Sequence, residues 1–298
     1  MKATRPLCDL LLWLAYSVCD RSRQRPRVMS KQANFHECCQ AFAASYEIST
    51  LPAMQEVERS VLGCDYGGTS WTTRAQAGQI VESLALRPGV HLLEIGAGSG
   101  WPGLYLAGSS SCDVTLLDLP ASALAKAMRR ARDEGNAGRV LAVAASGAAL
   151  PFRRAAFDAI SHSDVLCCLP GKAEMLAECR RVAGDGARML FSVIYAPPGL
   201  SDDAYREAVE VGPPFVDTPS PYAEMLADTG WRLENLTDVT SDYLQSLRRL
   251  VRAFEQSDAL AEVLGRDAIT ESIRHRESQI GVIERGLLVR EVFLASAA

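Results

Sequence analysis

The chain has 298 residues, 48% of them hydrophobic and 22% charged, which is enough for a sizeable core in one large domain or two small ones. A net charge of −5 argues against a nucleic-acid enzyme, which needs a basic face to meet phosphates. Nine cysteines and four histidines include no Cys-x-x-Cys and no zinc spacing, so the thiols read as reduced and mostly buried, the compartment as cytoplasmic, and no metal site is expected.

In chain order, an apolar run at residues 6–19 follows Lys2 and Arg5. Asp9 interrupts it, no small-residue cleavage site follows, and it is too short to cross a bilayer. Residues 1–28 are expected to be a poorly ordered extension without a membrane role. Residues 29–88 are expected to be a helical cap. Their pattern is helical from Asn34 to Ser60, with Phe35, Cys39 and Phe42 at i, i+4, i+7. A Gly/Thr loop from Leu62 to Thr73 carries Tyr66 and Trp71, and an amphipathic helix covers 74–86.

From residue 89 strands and helices alternate. Strands are expected at 90–95, 113–119, 139–146, 156–165 and 187–195, and helices at 100–109, 121–135 and about 172–182. Short connections between them imply a parallel α/β sheet with helices on both faces. A polar, Pro-rich connection with one short helix follows. A helix at 221–230, a strand at 231–240, a helical block at about 240–284 and an alternating strand at 285–295 complete the chain. A long helical insertion before a last strand suits a lid over a site.

The first strand runs into "LLEIGAGSGWPG" (92–103). Gly98, Gly100 and Gly103 spell the dinucleotide fingerprint, but the apolar run stops at Ile95, too early for that register. The other register starts at Glu94, with Gly96, Gly98 and Gly100 at alternate positions. A carboxylate at the strand end is badly placed for a pyrophosphate. It suits a cationic ligand with no phosphate, such as S-adenosylmethionine. Asp118 ends the next strand, where an acid can accept hydrogen bonds from ribose hydroxyls.

Downstream, Leu150-Pro151-Phe152 and Phe157-Asp158 complete a set of three motifs. Together they resemble the class I S-adenosylmethionine-dependent methyltransferase superfamily, over roughly Gly63 to Ile194. The C-terminal layout is similar to its small-molecule branch. The chain departs from the family at Ser146, where an aspartate is usual. No Tyr-x-x-x-Lys pair of a nicotinamide enzyme occurs.

The resemblance implies a Rossmann-like, seven-stranded, mostly parallel sheet with an antiparallel last strand, S-adenosyl-L-methionine as cofactor, and a small-molecule amine or hydroxyl as acceptor. It implies that Gly96, Ala97, Gly98 and Gly100 cradle the methionine part and that Glu94 orients its amino group. Asp118 is expected on the ribose, Leu119 on the adenine face, Ser146 and Gly147 at the adenine edge, and Ser163 against the cofactor through its backbone. His162 is the candidate base, with Asp164 polarising it or meeting a substrate cation. Tyr66, Trp71 and Tyr195 are expected to contact substrate. A macromolecular acceptor and a non-catalytic cofactor-binding protein are the competing readings.

Overall fold

The structure, a computed structural model, describes residues 42, 43, 45–67 and 69–298. The expectations for residues 1–28, and for Phe35 and Cys39, lie outside them. Before the sheet come α1 (Pro52–Leu62) and α2 (Arg74–Ser83). Thr73 opens α2 with a reciprocal cap: its hydroxyl accepts the Gln76 N–H while the Gln76 side chain accepts the Thr73 N–H.

The alternating region gives β1 (His91–Ile95), α3 (Gly103–Ser110), β2 (Asp113–Asp118), α4 (Ala121–Glu134), β3 (Val140–Ala144), β4 (Phe157–Ser163), α5 (Lys172–Val182) and β5 (Ala183–Tyr195). Then follow α6 (Asp202–Val211), α7 (Tyr222–Asp228), β6 (Trp231–Asp238), α8 (Thr240–Gln256), α9 (Asp258–Leu264), α10 (Arg266–Glu284) and β7 (Val289–Ala297). Two of the boundaries that differ from the periodicity have local reasons. Helix α3 starts at Gly103 because Gly98 and Gly100 have positive φ, which no right-handed helix accepts. The helical block before β7 is three helices, broken where Ser257 caps α9 through the Leu260 N–H and where Gly265 adopts a φ of +90°.

The seven strands are ordered β3-β2-β1-β4-β5-β7-β6. Those from β3 to β5 pair in parallel, and β7 runs antiparallel to both β5 and β6. The chain winds outward from β1 to β3 and then returns to place β4 on the other side of β1. That reversal opens a crevice at the carboxyl ends of β1 and β4, the general ligand position in such sheets.

Strand alternation assigns each side chain to a face. Leu93 and Ile95 of β1 and Ile160 of β4 enter one core with Met175, Leu176 and Cys179 of α5. Leu92 and Ala159 enter the other, with Leu104 of α3 and Leu124 of α4. Glu94 shares the face of Leu92. It is fully buried, opposite its register partner Ser161, whose hydroxyl donates to Glu94 Oε2. It lies beneath α3, where a Cβ on Gly103 would come within 3.1 Å of Glu94 Cγ. Oε1 has no partner.

Burial pushes the Glu94 carboxyl up to about 8 from its ordinary 4.5. Between those values the folded chain holds a proton that the unfolded chain has released, so stability falls as pH rises through the window. Denaturant unfolding at pH 5 and pH 8 is expected to show the wild type losing about 2–4 kcal/mol more than E94Q across that interval. Equal losses in the two proteins would show that Glu94 is ionised in the native state.

Candidate functional site

A cavity of about 460 Å³ opens at the carboxyl ends of β1, β2, β4 and β5. Its first half is built from the sheet. Gly96 and Ala97 both donate their N–H to the carbonyl of Leu117, at 2.8 and 3.1 Å, which bends the chain sharply out of β1. The Gly98 N–H then donates to Asp118 Oδ2 at 2.7 Å, and the Leu119 N–H donates to Oδ1 at 2.7 Å. Gly98 has a φ of +51°, and a Cβ there would lie 2.5 Å from Tyr46 Oη, so the turn requires glycine twice over.

Asp118 faces the cavity with one lone-pair position left on each oxygen. Burial raises its pKa, and the Gly98 and Leu119 N–H groups oppose that rise. Leu119 is 40% exposed at the same wall, unusual for a leucine and suited to a flat apolar ligand. Ser146 and Gly147 follow β3 on this wall; the Ser146 hydroxyl accepts the Ala148 N–H at 3.2 Å. These groups fit S-adenosylmethionine: a cradle that a Cβ would fill, an acid with free acceptor positions, and an apolar face beside them.

The second half is built from loops and α10. Trp71, Cys167, Cys168, Ile194, Pro213 and Pro214 supply apolar surface, and His275, Arg276 and Gln279 of α10 close it. Trp71 packs edge-on against Tyr243 with ring centres 5.1 Å apart. Trp101, which the sequence left without a role, holds the 62–73 loop to the glycine turn. Its Nε1 donates to the Thr72 carbonyl at 2.8 Å, and its ring lies between those of Tyr66 and Tyr105.

The structure gathers Gly96, Ala97, Gly98, Asp118, Leu119, Ser146, Gly147, Ser163, Asp164 and Trp71 around this cavity. Six expectations need correction. His162 shares the face of Ile160, and the in-register cross-strand positions His162, Phe191 and Phe293 form a ring stack with centres 4.7 and 4.9 Å apart. It is 1% exposed, both ring nitrogens lack partners, and burial pushes it down to about 3. It is a neutral core side chain without access to the cavity, not its base.

Asp164 does reach the wall, because its φ of +55° ends the strand and turns the side chain toward β7. Its carboxylate is already engaged by Arg290, with Nη2 to Oδ2 at 2.9 Å and Nε to Oδ1 at 3.0 Å, and by the Ser192 hydroxyl at 3.0 Å. Glu94 sits behind the turn under α3. Gly100 faces Leu104 and Ala127 in the packing of α3 and α4.

Tyr66 lies outside the cavity, with the Arg130 guanidinium 4.0 Å above its ring and its hydroxyl donating to Glu134 at 3.3 Å. Tyr195 lies at the last register position of β5, donates to Glu291 at 2.5 Å and packs on Tyr222, while its neighbour Ile194 meets the cavity.

His275 was missed. It is 5% exposed, its Nε2 is buried without a partner, and burial, reinforced by the neighbouring Arg276 cation, pushes it down to about 4. Of the described histidines it alone lines the cavity. The available signal was a histidine-arginine pair inside the segment already read as a lid.

Residues 93–191 match the family described as Methyltransferase domain. The 27-O-demethylrifamycin SV methyltransferase of Amycolatopsis mediterranei is 29% identical over 177 residues, 58% of this chain and 65% of that protein. The match thus spans just under two thirds of that relative's length. Phosphoethanolamine N-methyltransferase 2 of Haemonchus contortus, solved with phosphomonomethylethanolamine and S-adenosylhomocysteine, superposes with a TM-score of 0.72 at 18% identity, over 92% of this chain and 61% of that one. The cyclase SpnF superposes with a TM-score of 0.68 at 20% identity, over 87% of this chain and 96% of that one. At such identities the structural likeness shows the fold. Residues 93–191 thus carry a methyltransferase domain, and they lie inside that seven-stranded fold.

Proposed function

We propose that the protein methylates a hydroxyl or amine on a small, largely apolar molecule. What carries this reading is one cavity with two chemically different halves: a glycine turn and an acid on the sheet side, an apolar chamber with a neutral histidine on the lid side. S-adenosylmethionine, when bound, supplies a methyl group already activated by its sulfonium.

The chain's own residues supply placement and proton transfer. Gly96, Ala97 and Gly98 let the cofactor's amino-acid part lie against backbone. Asp118 accepts from the ribose hydroxyls, and Leu119, Ser146 and Gly147 bound the adenine. Trp71, Ile194, Pro213 and Pro214 hold the acceptor's apolar body and exclude water, so that alignment supplies most of the acceleration. His275 Nε2 takes the proton that a hydroxyl or ammonium loses. Asp164, paired with Arg290, shapes the wall. A concave chamber of this size, walled on one side by α10, favours a small acceptor over a protein or RNA.

The direct test is a screen of a metabolite extract with methyl-labelled cofactor, read by mass spectrometry. A labelled small molecule is expected; S-adenosylhomocysteine binding without any labelled product would sink the reading. D118A is expected to weaken S-adenosylhomocysteine by about 10–100-fold in calorimetry, the size of a lost charge-assisted pair. An unchanged affinity would remove Asp118 from the cofactor site. With an acceptor in hand, H275Q is expected to lower kcat by about 10²–10⁴-fold while cofactor affinity holds. A fall in affinity with kcat preserved would make His275 a wall residue instead.

A further inference from the structure

We propose that Arg276 is a carboxylate-binding residue of the cavity, and that a ligand carboxylate is the counter-ion its guanidinium lacks among the described residues. The proposal rests on the methyl-transfer reading for what occupies the cavity. Arg276 stands on α10 beside His275 and lines both the main cavity and a small pocket of about 100 Å³ that adjoins it at Thr69, Ser70 and Trp71.

Among the described residues no carboxylate forms an ion pair with Arg276, and its Nε is buried with no hydrogen-bond partner. The contrast with Arg290 is direct. That guanidinium is fully buried, and Asp164 meets it at 2.9 Å. A guanidinium keeps its proton in proteins, so Arg276 brings to the cavity wall a charge that no described carboxylate neutralises. Taking that charge out of water is costly unless a counter-ion completes it. Burial accordingly works against the charged form of Arg276.

The side chain is held in readiness. Its Nη1 donates to Gln279 Oε1 at 2.6 Å, and Gln279 Nε2 in turn donates to the carbonyl of Val211, the last residue of α6, at 3.1 Å. The guanidinium carbon stands 5.5 Å from the Trp71 ring centre, within cation–π range. A neutral amide and an aromatic face orient the fork without cancelling its charge, which leaves it available for a planar oxyanion.

Two ligands can bring that carboxylate: the cofactor's own methionine moiety, or the acceptor. Calorimetry distinguishes them with three probes. These are S-adenosylhomocysteine, its analogue lacking the carboxylate, and naphthoate added to protein saturated with S-adenosylhomocysteine. R276Q is expected to weaken one carboxylate probe by about 10–100-fold and to bind the decarboxylated analogue as the wild type does. A loss confined to S-adenosylhomocysteine assigns the carboxylate to the cofactor; a loss confined to naphthoate assigns it to the acceptor. R276K, which keeps the charge without the fork, is expected to fall between wild type and R276Q, and it carries the comparison if R276Q does not fold. Unchanged affinity for both carboxylates, or an equal loss for the decarboxylated analogue, overturns the proposal. Failure of the wild type to bind S-adenosylhomocysteine would instead overturn the methyl-transfer reading.

Discussion

The ion pair between Arg290 and Asp164 ties the site together. Arg290 stands on β7, the antiparallel strand, and Asp164 ends β4, the strand beside the topological switch. Both charges are buried, with side-chain exposures of 1% and 10%. Such a pair is tolerable only when its remaining donors and acceptors are met. Here Ser192 of β5 donates to Asp164 and accepts from Arg290, while Thr72 and Gln76 reach Arg290 from the N-terminal side at 3.4 Å. One polar cluster therefore joins the last strand, the two central strands and the loop that carries Trp71. The left-handed turn at Asp164 has no glycine to ease it, and this cluster is what holds a non-glycine residue there.

That cluster also sets the electrostatics of the cavity. Because Asp164 is cancelled by Arg290, it adds little field to the wall it occupies. The charged side chains that remain on the cavity wall are Asp118, at the end of β2, Glu174, on α5, and Arg276, on α10. The wall therefore carries charges of both signs beside the apolar surface of Trp71, Ile194, Pro213 and Pro214.

The sheet was legible because its signals are local. Leu92 to Ile95 and Val114 to Leu117 are short apolar runs with turns on either side, and their fold follows from strand–helix alternation. The turn at Gly96 and Gly98 was legible for the same reason, since glycine is demanded by backbone geometry within a few residues. Glu94 and His162 were misread because alternation decides their fate. One residue along, each would have faced differently, and which face meets a helix and which meets a ligand is not written in the strand itself. Tyr66 and Tyr195 failed similarly: an aromatic residue near a site is recruited by whatever packs against it, here Trp101 and Tyr222. The place of His275 on the cavity was out of reach because it rests on an approach between residues just over two hundred positions apart, from Trp71 to Arg276.

The division between what was and was not legible follows the division of the site itself. The sheet half depends on backbone: carbonyls and N–H groups of a glycine turn, placed by strand register, which local sequence controls. The lid half depends on side chains of α10, placed by where three helices break and dock. Ser257 and Gly265 set those breaks, and Gln279 fixes the docking by joining α6 to Arg276. Substitutions on α10 can therefore alter the lining it supplies without touching the strands, whereas a change at Gly98 or Asp118 disturbs the turn and the acid together through their shared hydrogen bond. A fold arranged this way can hold the sheet half of the cavity constant while the helical half varies, because its two halves draw on different kinds of interaction.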